Sequence, residues 1–347
     1  MLFITTRNKN DPQTTRKMLS SDTGSDGGLY IPFQMPAFTE EEIASFSKKS
    51  FGEAVCYVLN QFFGTKLSAA DVEFCIGRST LKLHSMNHRI LVAETWRNVS
   101  GDYERTEREL VRMICSNFGC EGKGTSLLKL VIRLAVLFGI FAELMRTGDV
   151  SKEQPVDISV ACCDFSAPMA AWYGRSMGLP IANIIATCNE NSGIWELLHL
   201  GELHTDSVLE QTTTPLSDFV VPTELERLVH AVSGFEGAAE FADTVRAGRV
   251  YRPAEETYAQ LKKGMFSAVV SCSRVNALIP SVYRTNSYIL GPYTALAYGG
   301  MMDYRAKTGE TRNCLLIAER SPLCDGKIVA DSMGMTLSKI TEEVMKA

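Results

Sequence analysis

Residues 155–191 read PVDISVACCDFSAPMAAWYGRSMGLPIANIIATCNEN, and this stretch decides the fold. Val156 to Ala161 is a short, mostly apolar run without strict alternation, the pattern of a strand covered on both faces. Ala167 to Met177 carries helix formers and small residues, and Gly178 and Pro180 stop it in the order expected at a helix C-terminus. Ile181 to Thr187 is a second apolar run. A strand, a helix and a second strand of this kind form a right-handed parallel crossover, the repeating unit of an open α/β sheet. Ligands of such sheets sit at the carboxyl ends of the strands, so Cys162 to Ala167 falls where a helix N-terminus presents free backbone N–H groups.

Working outward, Arg89 to Thr95 is strand-like, Asp102 to Asn117 reads as a charged helix and Ser126 to Met145 as a long apolar one. Lys129, Arg133 and Glu143 within that last helix mark it as buried rather than membrane-spanning. A chain of 347 residues, 45% hydrophobic and 22% charged, has the composition of an ordinary globular α/β protein. The net charge of −5 gives no reason to expect nucleic acid or an anionic membrane as partner. The ten cysteines have irregular spacings, with no C-x-x-C pair, which favours reduced and mostly buried thiols over zinc or disulfides. No signal peptide opens the sequence, and a cytoplasmic location is expected. His84 and His88 have the spacing of metal ligands on a helix, yet no third ligand follows and the flanks read as a loop. His199 and His204 read as solvated histidines near a helix end. No metal site is expected.

Four segments, in order, carry a family resemblance. Thr5-Thr6-Arg7 with Asp26-Gly27-Gly28-Leu29-Tyr30-Ile31-Pro32 resembles an S-T-R opening followed by D-G-G-L-Y-x-P. Met177-Gly178-Leu179-Pro180-Ile181 matches M-G-L-P-I, and Ala186 to Asn191 resembles A-T-N-E-N. Thr214 to Asp218 with Pro222 to Leu228 resembles S-P-S-M-D-I and P-S-N-F-E-R-L-L. Gly291 to Ala295 and Ile317 to Pro322 resemble D-P-H-T-A and L-A-T-A-H-P. These are motifs of threonine synthase, a pyridoxal-phosphate (PLP) enzyme of fold type II, related to the tryptophan synthase β chain. The resemblance implies an open, mostly parallel sheet with helices on both faces and a reduced cofactor-covering domain. It divides the chain into a threonine synthase-like N-terminal region, 1–95, and a fold type II-like α/β domain, 96–347.

The same comparison exposes departures. Counting back from Met177 places Cys163, Asp164, Phe165, Ser166 and Ala167 on the family's G-N-F-G-N phosphate loop, where only the phenylalanine is kept. Two glycines that admit the phosphate have become Cys163 and Ser166, whose Cβ atoms crowd the approach. Asp164 puts a carboxylate where the cofactor carries about −1.5 to −2 charges, and it also has the chemistry of an N-cap for the helix starting near Ser166. Glu319 falls at the pyridine-nitrogen position, where the family has a hydroxyl. The lysine motif H-G-P-T-x-A-F-K-D and the S-G-D-T-G loop do not occur as strings. Lys123, in a Gly-Lys-Gly-Thr loop, and Lys82 are weak substitutes. Asn189, Glu190 and Asn191 are candidates to line a pocket, or form a turn that leads into the next helix.

Two functions from different classes follow. In one, the chain keeps the fold, has lost PLP, and works as a binding or assembly module, a pseudoenzyme; a variant of this reading has the retained crevice bind a small amino acid or a phosphorylated metabolite without turning it over. In the other it is an active PLP-dependent lyase converting O-phosphohomoserine and water to threonine and phosphate. The residues favour the first, because lysine, phosphate loop and ring-nitrogen partner depart from the pattern together.

Overall fold

The computed structural model describes residues 1–77, 81–98, 100–121 and 125–346. Its organising element is a six-stranded sheet of β4 (Lys82–Met86), β5 (Ile90–Glu94), β6 (Val156–Ala161), β7 (Ile181–Cys188), β10 (Phe266–Val269) and β11 (Cys314–Ala318), ordered β10-β7-β6-β11-β5-β4. Every neighbouring pair is parallel except β4 with β5, which form an antiparallel edge hairpin. Ahead of it, β1 (Leu2–Thr5), β2 (Gln13–Thr14) and β3 (Tyr30–Pro32) make a small antiparallel sheet, and β8 (Leu203–His204) pairs with β9 (Val250–Tyr251).

The residues of the main sheet explain why it is buried on both sides. Along β5, Leu91 and Ala93 join one apolar core while Ile90 and Val92 join the other; along β11, Leu315 faces the first and Cys314, Leu316 and Ala318 the second. The first core is completed by the helices Phe51–Phe63, Ser126–Thr147 and Ser166–Ser176, the second by Cys272–Asn286, Pro292–Thr308 and the C-terminal pair Gly326–Met333 and Leu337–Lys346. This is the doubly covered α/β sheet that continuous apolar strands require.

The crossover at 156–188 forms as its sequence directs: β6 and β7 are parallel, the helix runs Ser166–Ser176, and Gly178 adopts φ 106° before Pro180. One feature differs from the sequence-based expectation. The segment containing His84 is strand β4, not loop, because its backbone finds a partner in β5 through a tight turn in which His88 and Arg89 are left-handed, with φ 62° and 58°. Both β4 and β5 are integral to the main sheet through the parallel β5–β11 ladder. The small N-terminal sheet is docked separately: Thr6 and Arg7 bind Glu226, Arg7 Nη2 at 2.8 Å, and the buried Arg227 donates from Nε to the Tyr30 carbonyl at 2.9 Å.

Candidate functional site

A cavity of about 720 Å³ opens at the carboxyl ends of β6 and β11. Val160, Ala161, Cys163, Asp164 and Ala167 contribute from the first crossover, and Ile317, Glu319 and Arg320 from the end of β11. Helix Tyr103–Asn117 adds Tyr103, Glu104, Glu107, Arg108, Val111 and Arg112, helix Ser126–Thr147 adds Lys129 and Arg133, and Pro215, Leu216, Phe219 and Tyr293 close the remaining side. Both helices are placed by their caps: Asp102 accepts from Arg105 N at 3.0 Å, and Thr125 from Leu128 N at 3.3 Å.

Arg133 organises the floor. It forms an ion pair with Glu319, lies 3.9 Å from Glu107, and its guanidinium carbon sits 4.8 Å above the Tyr103 ring. Burial alone would lower the affinity of Arg133 for its proton, but the facing Glu319, Tyr103, Asp164 and Glu107 outweigh it and hold the charge firmly on. Burial raises the Glu107 carboxyl above its usual range against the pull of Arg133 and Lys129, and drives the Tyr103 phenol well above the ordinary tyrosine range. The Tyr103 hydroxyl and Arg133 Nε are buried without a hydrogen-bond partner.

The loop after β6 carries the sequence candidates. Cys163, Asp164 and Ala167 line the cavity, whereas Phe165 and Ser166 are packed beneath it. Phe165 is the helix N-cap residue, in a left-handed conformation with φ 68°, and offers no side-chain cap. Asp164 supplies it from one position further back: Oδ1 accepts the Ser166 N–H at 3.0 Å and the Ser166 hydroxyl. The capping role read from the sequence is thus performed without Asp164 being the N-cap residue. Burial pushes the Cys163 thiol up to about 12 despite its contact with the Ser217 hydroxyl at 3.5 Å. Its thiolate is therefore scarce at neutral pH, and alkylation by iodoacetamide at pH 8 should modify exposed Cys324 first and leave Cys163 unlabelled until the protein is unfolded, as peptide mass mapping will show. Labelling of native Cys163 at the rate of Cys324 would contradict this picture.

Glu319 lines the cavity but is committed to Arg133. Asn189, Glu190 and Asn191 do not line it. Asn189 Nδ2 donates to Thr214 Oγ1 at 3.0 Å and Asp218 Oδ1 at 2.7 Å, Asn191 donates to the Glu210 carbonyl at 2.9 Å, and Glu190 accepts from Cys272 N at 2.7 Å. Together they staple segment 210–218 and the helix at 272 to the end of β7. Lys82 lies on β4 in register with Glu94, away from the cavity, and Lys123 lies outside the described residues. His84 meets Glu94 at 3.2 Å, and no cluster of three metal-ligating side chains exists among the described residues. Sequence reading missed Tyr103, Glu104, Arg108 and Arg112; their spacing of one and two helical turns was the available signal. Among the described residues no helix is long and apolar enough to cross a membrane.

Comparison with known proteins agrees with the motifs. Residues 2–80 match the family model "Threonine synthase N terminus". Human threonine synthase-like 1 is 27% identical over 160 residues, 45% of this chain, and the match spans 22% of that protein's length. Threonine synthase of Pseudomonas aeruginosa is 21% identical over 85% of this chain and 83% of its own. The fold is that of PLP-bound threonine synthase from Brucella melitensis, with a TM-score of 0.80 at 17% identity, covering 99% of this chain and 94% of that one. Yeast threonine synthase superposes with a TM-score of 0.78 at 14% identity.

Proposed function

We propose that this threonine synthase-like chain keeps the fold without PLP catalysis and works as a binding or assembly module. The observation that carries the reading is Asp164. Its carboxylate already holds the Ser166 N–H, the first backbone donor that a phosphate at this helix N-terminus would take. Two charges of like sign about 4 Å apart cost roughly 4 kcal/mol at an effective dielectric near 20, whereas a helix N-terminus returns about 0.3–1 kcal/mol. The phosphate end therefore does not fit the group.

Two further features support the same reading. The Arg133–Glu319 ion pair, stacked on Tyr103, takes the part of the cleft assigned by the resemblance to the pyridine nitrogen. The lysine motif does not occur as a string, and laid without gaps on segment 97–105 it matches none of its defined residues, with Glu104 opposite its lysine. A glutamate forms no imine. The reading also keeps the protein in a reducing, cytoplasmic setting, supported by cysteines that are all free among the described residues.

The direct activity test is phosphate release from O-phosphohomoserine with PLP added in excess. No release above the protein-free rate is expected. Sustained turnover that tracks protein concentration would overturn the proposal.

A further inference from the structure

We infer that Cys162 and Cys188 form an oxidative modification site, at which a small hydroperoxide converts the two thiols into an intramolecular disulfide across the carboxyl ends of β6 and β7. Neither residue lines the cavity, so the pairing holds with or without PLP in the cleft.

The pairing comes from the sheet. Strands β6 and β7 are parallel, with Ala161 opposite Thr187, and the ladder runs one step further, the Cys162 N–H donating to the Thr187 carbonyl at 2.8 Å. Cys162 therefore stands opposite Cys188. Residues opposite one another project from the same face of a sheet, and both cysteines belong to the first apolar core. Neighbouring strands lie about 4.8 Å apart, inside the roughly 4.4–6.8 Å between Cα atoms that a disulfide bridges. The two thiols are already joined by a side-chain hydrogen bond. In this state they pack as small apolar groups.

Their surroundings make the two sulfurs unequal. Burial, with the hydrogen bond to Cys188 behind it, holds the Cys162 thiol well above the ordinary cysteine range. The same hydrogen bond is the largest influence on Cys188 and lowers it against the effect of burial. It is helped by the Ser267 hydroxyl, 3.8 Å from the Cys188 sulfur, and by the backbone N–H groups of Trp195 and Ile194. Those N–H groups belong to the first turn of helix Gly193–Leu200, where Ser192 makes no side-chain cap. A thiol favoured as thiolate at a helix N-terminus, touching one that keeps its proton, divides the chemistry between them: the first is oxidised and the second resolves it.

The sequence of bonds follows. The Cys188 sulfur attacks one oxygen of the hydroperoxide, the O–O bond breaks, and the other oxygen leaves as water or an alcohol, so that Cys188 becomes a sulfenic acid. The Cys162 sulfur then attacks the Cys188 sulfur, and the departing hydroxide takes the Cys162 proton and leaves as water. The two sulfurs together give up two electrons, and the peroxide bond accepts them. Both thiols are buried, at 5% and 2% exposure, which limits the oxidant to a small molecule. The disulfide ties the loop bearing Cys163 and Asp164 to the strand end whose Asn189 holds Thr214 and Asp218, so two linings of the cavity become one unit. Other cysteines are less suited. Cys163 lies against Ser217 with its thiol pushed up to about 12, and Cys120 acts on Cys115 through charge alone.

The test uses the full chain, reduced and then freed of reductant. It is treated at neutral pH with hydrogen peroxide, quenched with catalase, unfolded in the presence of N-ethylmaleimide and digested with trypsin without reduction. Cleavage after Arg175 puts Cys162 and Cys188 in different peptides. The expected product is a cross-link between those two peptides, lighter by two hydrogens than their sum and reversed by dithiothreitol. Cys163→Ser should leave the cross-link in place, which assigns it to Cys162. Cys188→Ser should abolish it, and Cys162→Ser should leave a sulfenic acid on Cys188 that dimedone traps. A cross-link of Cys162 with Cys163 or of Cys115 with Cys120 in its place would overturn the inference. So would a map in which exposed Cys324 is oxidised while Cys162 and Cys188 both carry maleimide, a result read from the unaltered chain and independent of whether any variant folds.

Discussion

Replacing Arg227 with methionine will lower the free energy of unfolding by about 3–5 kcal/mol, read from urea denaturation. Arg227 is fully buried and every side of its guanidinium is used. Nη1 bonds both carboxylate oxygens of Glu224 at 2.5 Å, Nε donates to the Tyr30 carbonyl at 2.9 Å, and Nη2 donates to Ser126 Oγ at 3.1 Å. One side chain thereby joins the N-terminal sheet, the start of the helix that carries Lys129 and Arg133, and the residue whose N–H reaches the Asp164 carbonyl at 3.4 Å. Methionine keeps much of the volume but leaves Glu224 as a buried carboxylate with no counter-charge. The double variant Arg227→Met, Glu224→Gln should recover at least about 1.5 kcal/mol of the loss, because the uncompensated charge is then gone. A loss below ~1 kcal/mol for the single variant would show that the network does not hold these units together. Arg227→Lys keeps the charge yet loses the planar fork, so it should remain clearly destabilised.

Arg133→Met is the second large effect, about 2–4 kcal/mol at neutral pH, since it leaves Glu107 and Glu319 facing the cavity floor without their shared cation. Its pH dependence has a definite sign. In the variant the Glu107 carboxyl, which burial already raises in the native protein, loses the pull of Arg133 and keeps the repulsion of Glu319, so its folded-state proton affinity rises further. The folded state then binds more protons than the unfolded one, so stability falls as pH rises and the deficit against the native protein grows from acid to neutral pH. Adding Glu319→Gln should flatten that dependence and restore part of the stability. A deficit that shrinks as pH rises would contradict the arrangement of charges on the floor.

How much of this was legible in the sequence depends on the range of the interaction. The crossover at 156–188 was readable because each of its parts is locally encoded: apolar runs for β6 and β7, small residues for the helix, Gly178 and Pro180 for the stop. Strand β4 was not, because at an edge its side chains are only half-buried and polar residues such as His84 and Ser85 hide the pattern. The loop residues Cys163, Asp164 and Ala167 were placed at the cavity by their motif register. Asn189 to Asn191 were equally close in motif register, yet their side chains turn to a local hydrogen-bond network that no spacing rule encodes. The pairing of Arg133 with Glu319, 186 positions apart, is a property of the fold alone. Glu104, Arg108 and Arg112 escaped notice because a repeat of one helical turn marks a face of the helix without saying what that face meets.

The central claim is that the cleft no longer holds PLP, and one measurement meets it most directly. Purified protein is mixed with PLP, its visible spectrum recorded, the mixture reduced with borohydride, and the intact and peptide masses determined. The account predicts a spectrum equal to the sum of protein and free PLP, with no stoichiometric pyridoxyl adduct on any lysine. A saturable aldimine band with a single reduced adduct, on Lys129 or any other lysine, would contradict it.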